Sequence, residues 1–213
     1  MTDDLPAAAD AAADEDRPRP RGAYAKGIAR RQEILDRAIE VFAARGADRT
    51  SLRAIASAVG VTHSALTHYF GSLEELLVAV YQESTAPERQ QPDTLPDDAT
   101  PTSRMLESAR TNREIPGLVQ LYSTLVAAAL EEGHPAAREF ATTRFARLRT
   151  DMADVIRRQQ EGGLMRDDMD ADAVAALIVA ASDGLQTQWL LDDSAPQQEA
   201  LALLDRLLRP AAR

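Results

Sequence analysis

The 213-residue chain contains no cysteine, and only 4% of its residues are aromatic. Without cysteine it forms neither disulfide bonds nor thiolate metal sites. Sustained alternation of β-branched and polar residues is absent, whereas alanine and leucine are common. No uninterrupted apolar run approaches the roughly 18 residues of a membrane span, and the acidic N-terminus does not resemble a signal peptide. These absences predict an all-α, cytoplasmic protein without a membrane partner.

The patterns of common catalytic and metal sites are missing too. There is no glycine-rich phosphate loop, nucleophile elbow or Cys–His pair. His63 and His68 are five positions apart, which is not the spacing of a helical ligand pair. The Glu131-x-x-His134 sequence is a single copy of a motif that di-iron bundles use twice, and it spans a Gly-Pro helix end. We therefore expect no enzyme activity, no cofactor and no metal.

The net charge of −10 is distributed unevenly along the chain. Residues 1–16 contain six acids and no bases, whereas residues 17–53 contain ten bases and four acids. Residues 54–70 carry no formal charge, and residues 71–213 carry 14 arginines and 24 acids. The basic segment supplies a local footprint for nucleic acid, while the acidic remainder disfavours other orientations on DNA.

A helix-turn-helix is predicted beside this basic segment. Ser51 and Thr62 occupy N-cap positions of two short helices, and Gly60 supplies the turn between them. Helical spacing places Leu66 and Phe70 on the inner side of the second helix. Its outer side carries small or polar side chains: His63, Ser64, Thr67 and His68. A short helix with such a face suits the major groove of DNA.

DNA contacts are expected from this motif and its edges. Imidazole and hydroxyl groups on the outer face hydrogen-bond to base edges, and the Thr67 methyl group suits a thymine methyl. Hydroxyls near helix N-termini bind phosphates, and Arg53 reaches a guanine or a phosphate. The expected DNA-contacting residues are Thr50, Ser51, Arg53, Thr62, His63, Ser64, Thr67, His68 and Tyr69.

The rest of the chain divides into a tail and a helical body. Residues 1–22 are acidic and then rich in Arg and Pro, which predicts a disordered tail. Residues 23–71 form the predicted head and residues 72–213 the body, with a proline-containing loop at 84–101. About nine helices are expected: Gly27–Arg45, the two short helices of the motif, Leu73–Glu83, Thr102–Arg113, Pro116–Glu131, Ala136–Glu161, Asp170–Leu190 and Gln197–Leu208.

The segment Arg30–Val80 resembles the DNA-binding domain of the TetR family of bacterial repressors. The residues that carry the resemblance are Ile34, Leu35, Phe42, Gly46, Thr50, Ser51, Ile55, Ala56, Gly60, Val61, Leu66, Tyr69, Phe70, Ser72, Glu75 and Leu76. The chain departs from the family where relatives often have basic residues. His63 stands at one such position, and Leu73 replaces a lysine that contacts a phosphate, so this reading helix is less basic than usual.

The resemblance implies a body that binds a small effector. Ligand sites combine apolar walls with a few polar groups. The expected effector-binding residues are Met105, Leu121, Tyr122, Leu125, Phe145, Arg149, Met152, Gln186 and Trp189. The last two helices carry small-residue and leucine stripes that indicate pairing with a second copy. The expected dimer residues are Ala173, Leu177, Ala180, Gly184, Leu201, Leu204 and Leu208.

The sequence therefore predicts a homodimeric repressor that binds an inverted-repeat operator in double-stranded DNA. A small, mostly apolar molecule releases the repressor from DNA by binding better to a form whose two reading helices are spaced wrongly for adjacent major grooves. Two alternatives remain open. One is an architectural DNA-binding protein that responds to no ligand. The other is a ligand-binding or interaction module that has lost DNA binding, which Leu73 favours.

Overall fold

The computed structural model describes residues 21–45, 52–86, 99–115 and 117–210. Within these ranges the chain forms nine α-helices and no strand, which confirms the all-α fold. The helices are α1 (Arg21–Arg45), α2 (Leu52–Val59), α3 (His63–Phe70), α4 (Leu73–Ser84), α5 (Pro101–Glu114), α6 (Leu118–Ala128), α7 (Pro135–Glu161), α8 (Ala171–Leu191) and α9 (Gln197–Leu208). Residues 1–20 of the predicted tail, most of the predicted loop, and Thr50 and Ser51 lie outside the described residues.

Local capping accounts for several helix boundaries. The hydroxyl oxygen of Thr62 accepts a hydrogen bond from the Ala65 amide, and that of Ser72 accepts one from the Glu75 amide, each at 3.1 Å. The predicted cap at Thr62 is thereby confirmed, and Ser72 caps α4 in the same way. The prediction for α1 was wrong by six residues, because α1 begins at Arg21 instead of Gly27. A single glycine within a helix costs only about 1 kcal/mol, so it does not end one.

One continuous core joins the head to the first half of the body. Ile34 of α1, Ile55 of α2 and Leu66 of α3 are fully buried together. The same cluster continues through Leu76 of α4 to Leu121 of α6. The boundary predicted between residues 71 and 72 therefore does not coincide with a break in the core, and α4 packs against both parts.

Polar contacts reinforce the junction between α4 and α7. The Glu74 carboxylate accepts a hydrogen bond from the Ala136 amide at 3.1 Å, and its other oxygen lies 3.0 Å from Nδ1 of His134. The amides of the first turn of a helix have no partner within it. A carboxylate from α4 thus caps α7, the longest helix of the body.

The second half of the body packs around the α7–α8 pair. Its core contains Met152 and Ile156 of α7, Val174 and Ile178 of α8, and Leu208 of α9. By length and composition, α8 is apolar enough to cross a membrane, although only 28% of its apolar window is buried in the subunit. The sequence analysis predicted this helix but did not identify it as a possible span, because two acids interrupt its apolar run. Most of this apolar window is therefore not buried within the subunit.

Candidate DNA-reading helix, effector cavity and dimer surface

The short helix α3 presents a polar face to solvent. His63, Ser64, Thr67 and His68 are exposed, whereas Leu66 is fully buried and Phe70 is 4% exposed. The turn before α3 depends on Gly60, whose φ of +70° lies in the left-handed region. The buried and exposed sides of α3 are those predicted from the spacing of its apolar residues. Contact with DNA remains a prediction.

Several of the expected DNA-contacting side chains also have partners within the protein. The Thr67 hydroxyl donates to the His63 carbonyl at 3.0 Å, which leaves its methyl group for an apolar contact. The His68 ring lies edge-on to Tyr69, with 5.6 Å between centroids. Tyr69 is half-buried, and it also lines a cleft described below. Thr62 caps α3, and Arg53 is exposed on α2.

The positive charge near α3 is partly compensated on α1. Arg30 pairs with Glu33, and Arg37 pairs with Glu40, each three positions along the helix. Such exposed pairs contribute only about 0–1 kcal/mol, so phosphates compete with them easily. Arg31 and Arg53 form no ion pair with another described residue, and the Arg31 guanidinium lies over the Phe70 ring at 4.8 Å.

A cluster of polar and aromatic side chains lies between the head and the body. The Tyr122 hydroxyl donates to Oδ2 of Asp183 at 2.8 Å. The Arg144 guanidinium lies over the rings of Tyr122 and Tyr81, at 5.0 and 5.4 Å from their centroids. We call Tyr81, Tyr122, Arg144 and Asp183 the polar cluster. It connects α4, which packs against the head, with α6, α7 and α8 of the body.

Burial governs the ionisation of this polar cluster. Burial raises the pKa of Asp183, although the Tyr122 hydrogen bond and the positive charge of Arg144 oppose that shift. Burial and the neighbouring carboxylate also raise the pKa of Tyr122, so its hydroxyl stays protonated and donates. The Nε atom of Arg144 is buried and has no hydrogen-bond partner among the described residues.

A small inner cavity lies against this cluster. Its volume is about 20 Å³, which is room for one water molecule. It is lined by Tyr81, Met105, Ser108, Ala109, Asn112, Leu118, Val119, Tyr122, Arg144, Ser182, Asp183 and Gln186. Oδ1 of Asn112 is a buried acceptor without a donor among the described residues. Three of the residues expected to bind an effector line this cavity: Met105, Tyr122 and Gln186.

The other six expected effector residues line neither described cavity, which corrects the predicted set. Leu121, Leu125 and Met152 are buried in the core, and Phe145 packs between its two clusters. Arg149 is exposed, and Trp189 lies under the Arg113 guanidinium at 4.2 Å. Large apolar residues were favoured as cavity walls, but they mostly fill the core. The sequence signal for the cavity that was missed is the pair Asp183 and Arg144, which are polar residues on otherwise apolar helix faces.

A larger cavity separates the head from α7. This head–body cleft has a volume of about 440 Å³ and was not predicted. Its walls come from α1, α3, α4 and α7: Arg31, Tyr69, Phe70, Glu75, Val78, Ala79, Tyr81, Gln82, Ala136, Glu139, Phe140, Thr143, Arg144 and Arg147. Tyr81 and Arg144 line both cavities, so the polar cluster forms a shared wall.

The helices α8 and α9 expose an apolar surface, but not all of the expected one. Ala173, Leu177, Ala180 and Gly184 are exposed on α8. On α9 the expectation was wrong, because Leu201 is fully buried and Leu208 is 4% exposed, both within the subunit. Leu204 packs against the same core. The exposed leucines of α9 are Leu203 and Leu207, because α9 has apolar residues on two sides.

Removing the Tyr122 hydroxyl tests the polar cluster. We expect Tyr122→Phe to lower the free energy of unfolding by about 1.5–3 kcal/mol at neutral pH, the range for a hydrogen bond to a charged group. The loss should shrink as the pH falls through the raised pKa of Asp183, because protonation removes the charge that the hydroxyl stabilises. Urea denaturation at several pH values measures both. A cost that is independent of pH would contradict this account.

These features define a class of protein. A helix-turn-helix with an exposed polar reading face is joined, through α4, to a helical body with a buried polar cavity, as in a ligand-responsive DNA-binding regulator. Residues 34–80 match the model described as bacterial regulatory proteins of the tetR family, and residues 105–212 match the BetI-type transcriptional repressor C-terminal model. The chain therefore belongs to the TetR family of bacterial transcriptional regulators.

Individual relatives and solved structures are also similar to this chain. The HTH-type transcriptional repressor Rv1474c of Mycobacterium tuberculosis is 29% identical over 179 residues, which cover 82% of this chain and 89% of the relative. A TetR-family regulator from Rhodococcus sp. has the same fold, with a TM-score of 0.67, 21% identity, and coverage of 84% and 98%. The multidrug-binding protein EbrR, solved with imidazole, has a TM-score of 0.60, 26% identity, and coverage of 86% and 93%.

Proposed function

We propose that this regulator is a homodimeric repressor that a small molecule releases from an inverted-repeat operator. It acts in the cytoplasm, where its operator lies. The observation that carries the proposal is the polar cluster, because one connected set of side chains borders the inner cavity and includes Tyr81 of α4, the helix that packs against both the head and the body. The relative from Mycobacterium tuberculosis is named a repressor, and EbrR is named a multidrug-binding protein, which supports both parts.

Release follows from the size of the inner cavity. At about 20 Å³ it holds no more than a water molecule, so an effector binds only a form in which the cavity has opened. Opening displaces its walls, which include Tyr81 of α4 and Arg144 of α7. Because α4 packs against α1 and α3, its movement changes the position of the reading helix. An effector that prefers the open form thereby shifts the population away from DNA.

The lining of this cavity restricts the effector chemically. Part of an effector would contact Met105, Leu118 and Val119, and the rest would face polar groups such as Ser108 and Gln186. At least one hydrogen-bond donor is needed, because Oδ1 of Asn112 is a buried acceptor without a partner among the described residues. The effector class is thus a small molecule that combines apolar groups with at least one N–H or O–H group.

Operator binding and release are tested together. We expect footprinting upstream of the protein's own gene to reveal an inverted repeat, with an affinity that falls steeply with salt as counterions are released. Small molecules that change Trp189 fluorescence should then dissociate the complex, since Trp189 is the sole tryptophan and lies one helical turn from Gln186. We expect Asn112→Leu to weaken release while operator affinity changes little.

The control for this experiment is Thr124→Ala, an exposed substitution on α6 outside both cavities. It should preserve both operator binding and release. Protection no better than on random DNA at moderate salt would contradict the repressor. A specific complex that no screened molecule dissociates would instead favour a ligand-independent DNA-binding protein.

A further inference from the structure

The head–body cleft has the dimensions of a ligand site in its own right. Its volume of about 440 Å³ lies within the range of about 300–1,000 Å³ that small-molecule sites occupy. It is about twenty times larger than the inner cavity, and the polar cluster separates the two. Unlike the inner cavity, it needs no opening to accept a molecule of metabolite size.

The charge of this cleft favours an anion. Arg31 and Arg147 form no ion pair with another described residue, and Nε of Arg144 is buried without a hydrogen-bond partner there. Two carboxylates, Glu75 and Glu139, also line the cleft. Glu75 accepts a hydrogen bond from the Ser72 hydroxyl at 3.3 Å at the start of α4. The lining thus contains three guanidinium groups and two carboxylates, while Asp183, the carboxylate that interacts with Arg144, lines the inner cavity instead.

The same walls favour a flat aromatic group. Phe70, Tyr81 and Phe140 line the cleft, and the Tyr81 and Phe140 rings meet edge-on with centroids 5.3 Å apart. The Arg31 guanidinium lies 4.8 Å from the centroid of Phe70. Guanidinium groups stack on aromatic rings and bind carboxylates through paired N–H groups. The lining therefore combines aromatic side chains with carboxylate-binding groups, and Phe70 and Tyr81 expose only 4% and 3% of their surface.

We propose that the head–body cleft is a second small-molecule site, specific for a planar aromatic carboxylate whose ring lies among Phe70, Tyr81 and Phe140 and whose carboxylate meets Arg147. The occupant contacts both α3 and α7, so it stabilises one position of the reading head against the body. Tyr81 and Arg144 also border the inner cavity, so occupation of one site changes the affinity of the other by a reciprocal factor.

Calorimetry with 2-naphthoate, a planar aromatic carboxylate, tests the site on the full-length protein without DNA. We expect binding, and we expect Arg147→Gln to weaken it about tenfold because a charge-assisted hydrogen bond is lost. Arg147 is exposed, so its replacement leaves the core intact. Arg138→Gln is the matched control, because Arg138 is also exposed on α7 but lines neither cavity. It should retain the wild-type affinity.

A neutral analogue, 2-naphthamide, should bind about tenfold more weakly than the acid. Three outcomes would overturn the proposal: no binding of 2-naphthoate at millimolar concentration, equal affinities for acid and amide, or an unchanged affinity in Arg147→Gln. A loss in Asn112→Leu equal to that in Arg147→Gln would also overturn it, by placing the probe in the inner cavity. None of these measurements involves an operator, so their failure is distinct from failure of the proposed repressor function.

Discussion

Replacing Leu207 with aspartate should convert the proposed dimer into monomers and lower operator affinity at least 100-fold. Leu207 is 59% exposed on α9, and Leu203 (48%) and Leu177 of α8 (53%) are also exposed. Such a surface is explained if a second copy covers it. A charge buried there without a partner costs several kcal/mol. Without dimerisation the protein also loses its second half-site, and most of the affinity with it.

Sedimentation at micromolar concentration measures the first part of this prediction, and titration of operator DNA measures the second. Leu130→Asp is the matched control, because Leu130 is 85% exposed just after α6 and belongs to neither α8 nor α9. It should remain dimeric. When the variant and the wild type are compared at the same degree of association, Leu207→Asp should unfold at nearly the same urea concentration as the wild type. A dimeric Leu207→Asp variant would show that subunits pair through another surface.

Replacing His63 with alanine should reduce specific operator affinity by about 2–6 kcal/mol, because each base contact contributes about 1–3 kcal/mol and a dimer makes it twice. This corresponds to a loss of at least about 30-fold. His63 is exposed at the first position of α3, where a reading helix approaches base edges. Affinity for random DNA should change little, because phosphate contacts are retained.

Thr67→Ser refines the same experiment. Serine can keep the hydrogen bond to the His63 carbonyl but lacks the methyl group, so the variant should relax a preference for thymine without loosening α3. The base preference of both variants is measured by competition binding against operators that are mutated one base pair at a time. An unchanged base preference in His63→Ala would mean that another face of α3 enters the groove.

The head could be predicted closely because its signals are local. An N-cap lies next to the helix it begins, as at Thr62 and Ser72. The spacing of Leu66 and Phe70 shows which side of α3 is buried. Neither inference depends on a distant part of the chain. The helices of the body were likewise predicted from breaks at glycine and proline.

The sequence by itself determined the helical class, the reading helix and its outer face, because capping and periodicity act within one or two turns. Only tertiary structure decided which apolar side of α9 faces the core, placing Leu201 inside and Leu207 outside. It also brought Tyr122, Arg144 and Asp183 together from three helices. Helical spacing shows that a face is apolar or polar. It does not show what packs against that face, because this depends on contacts between distant segments.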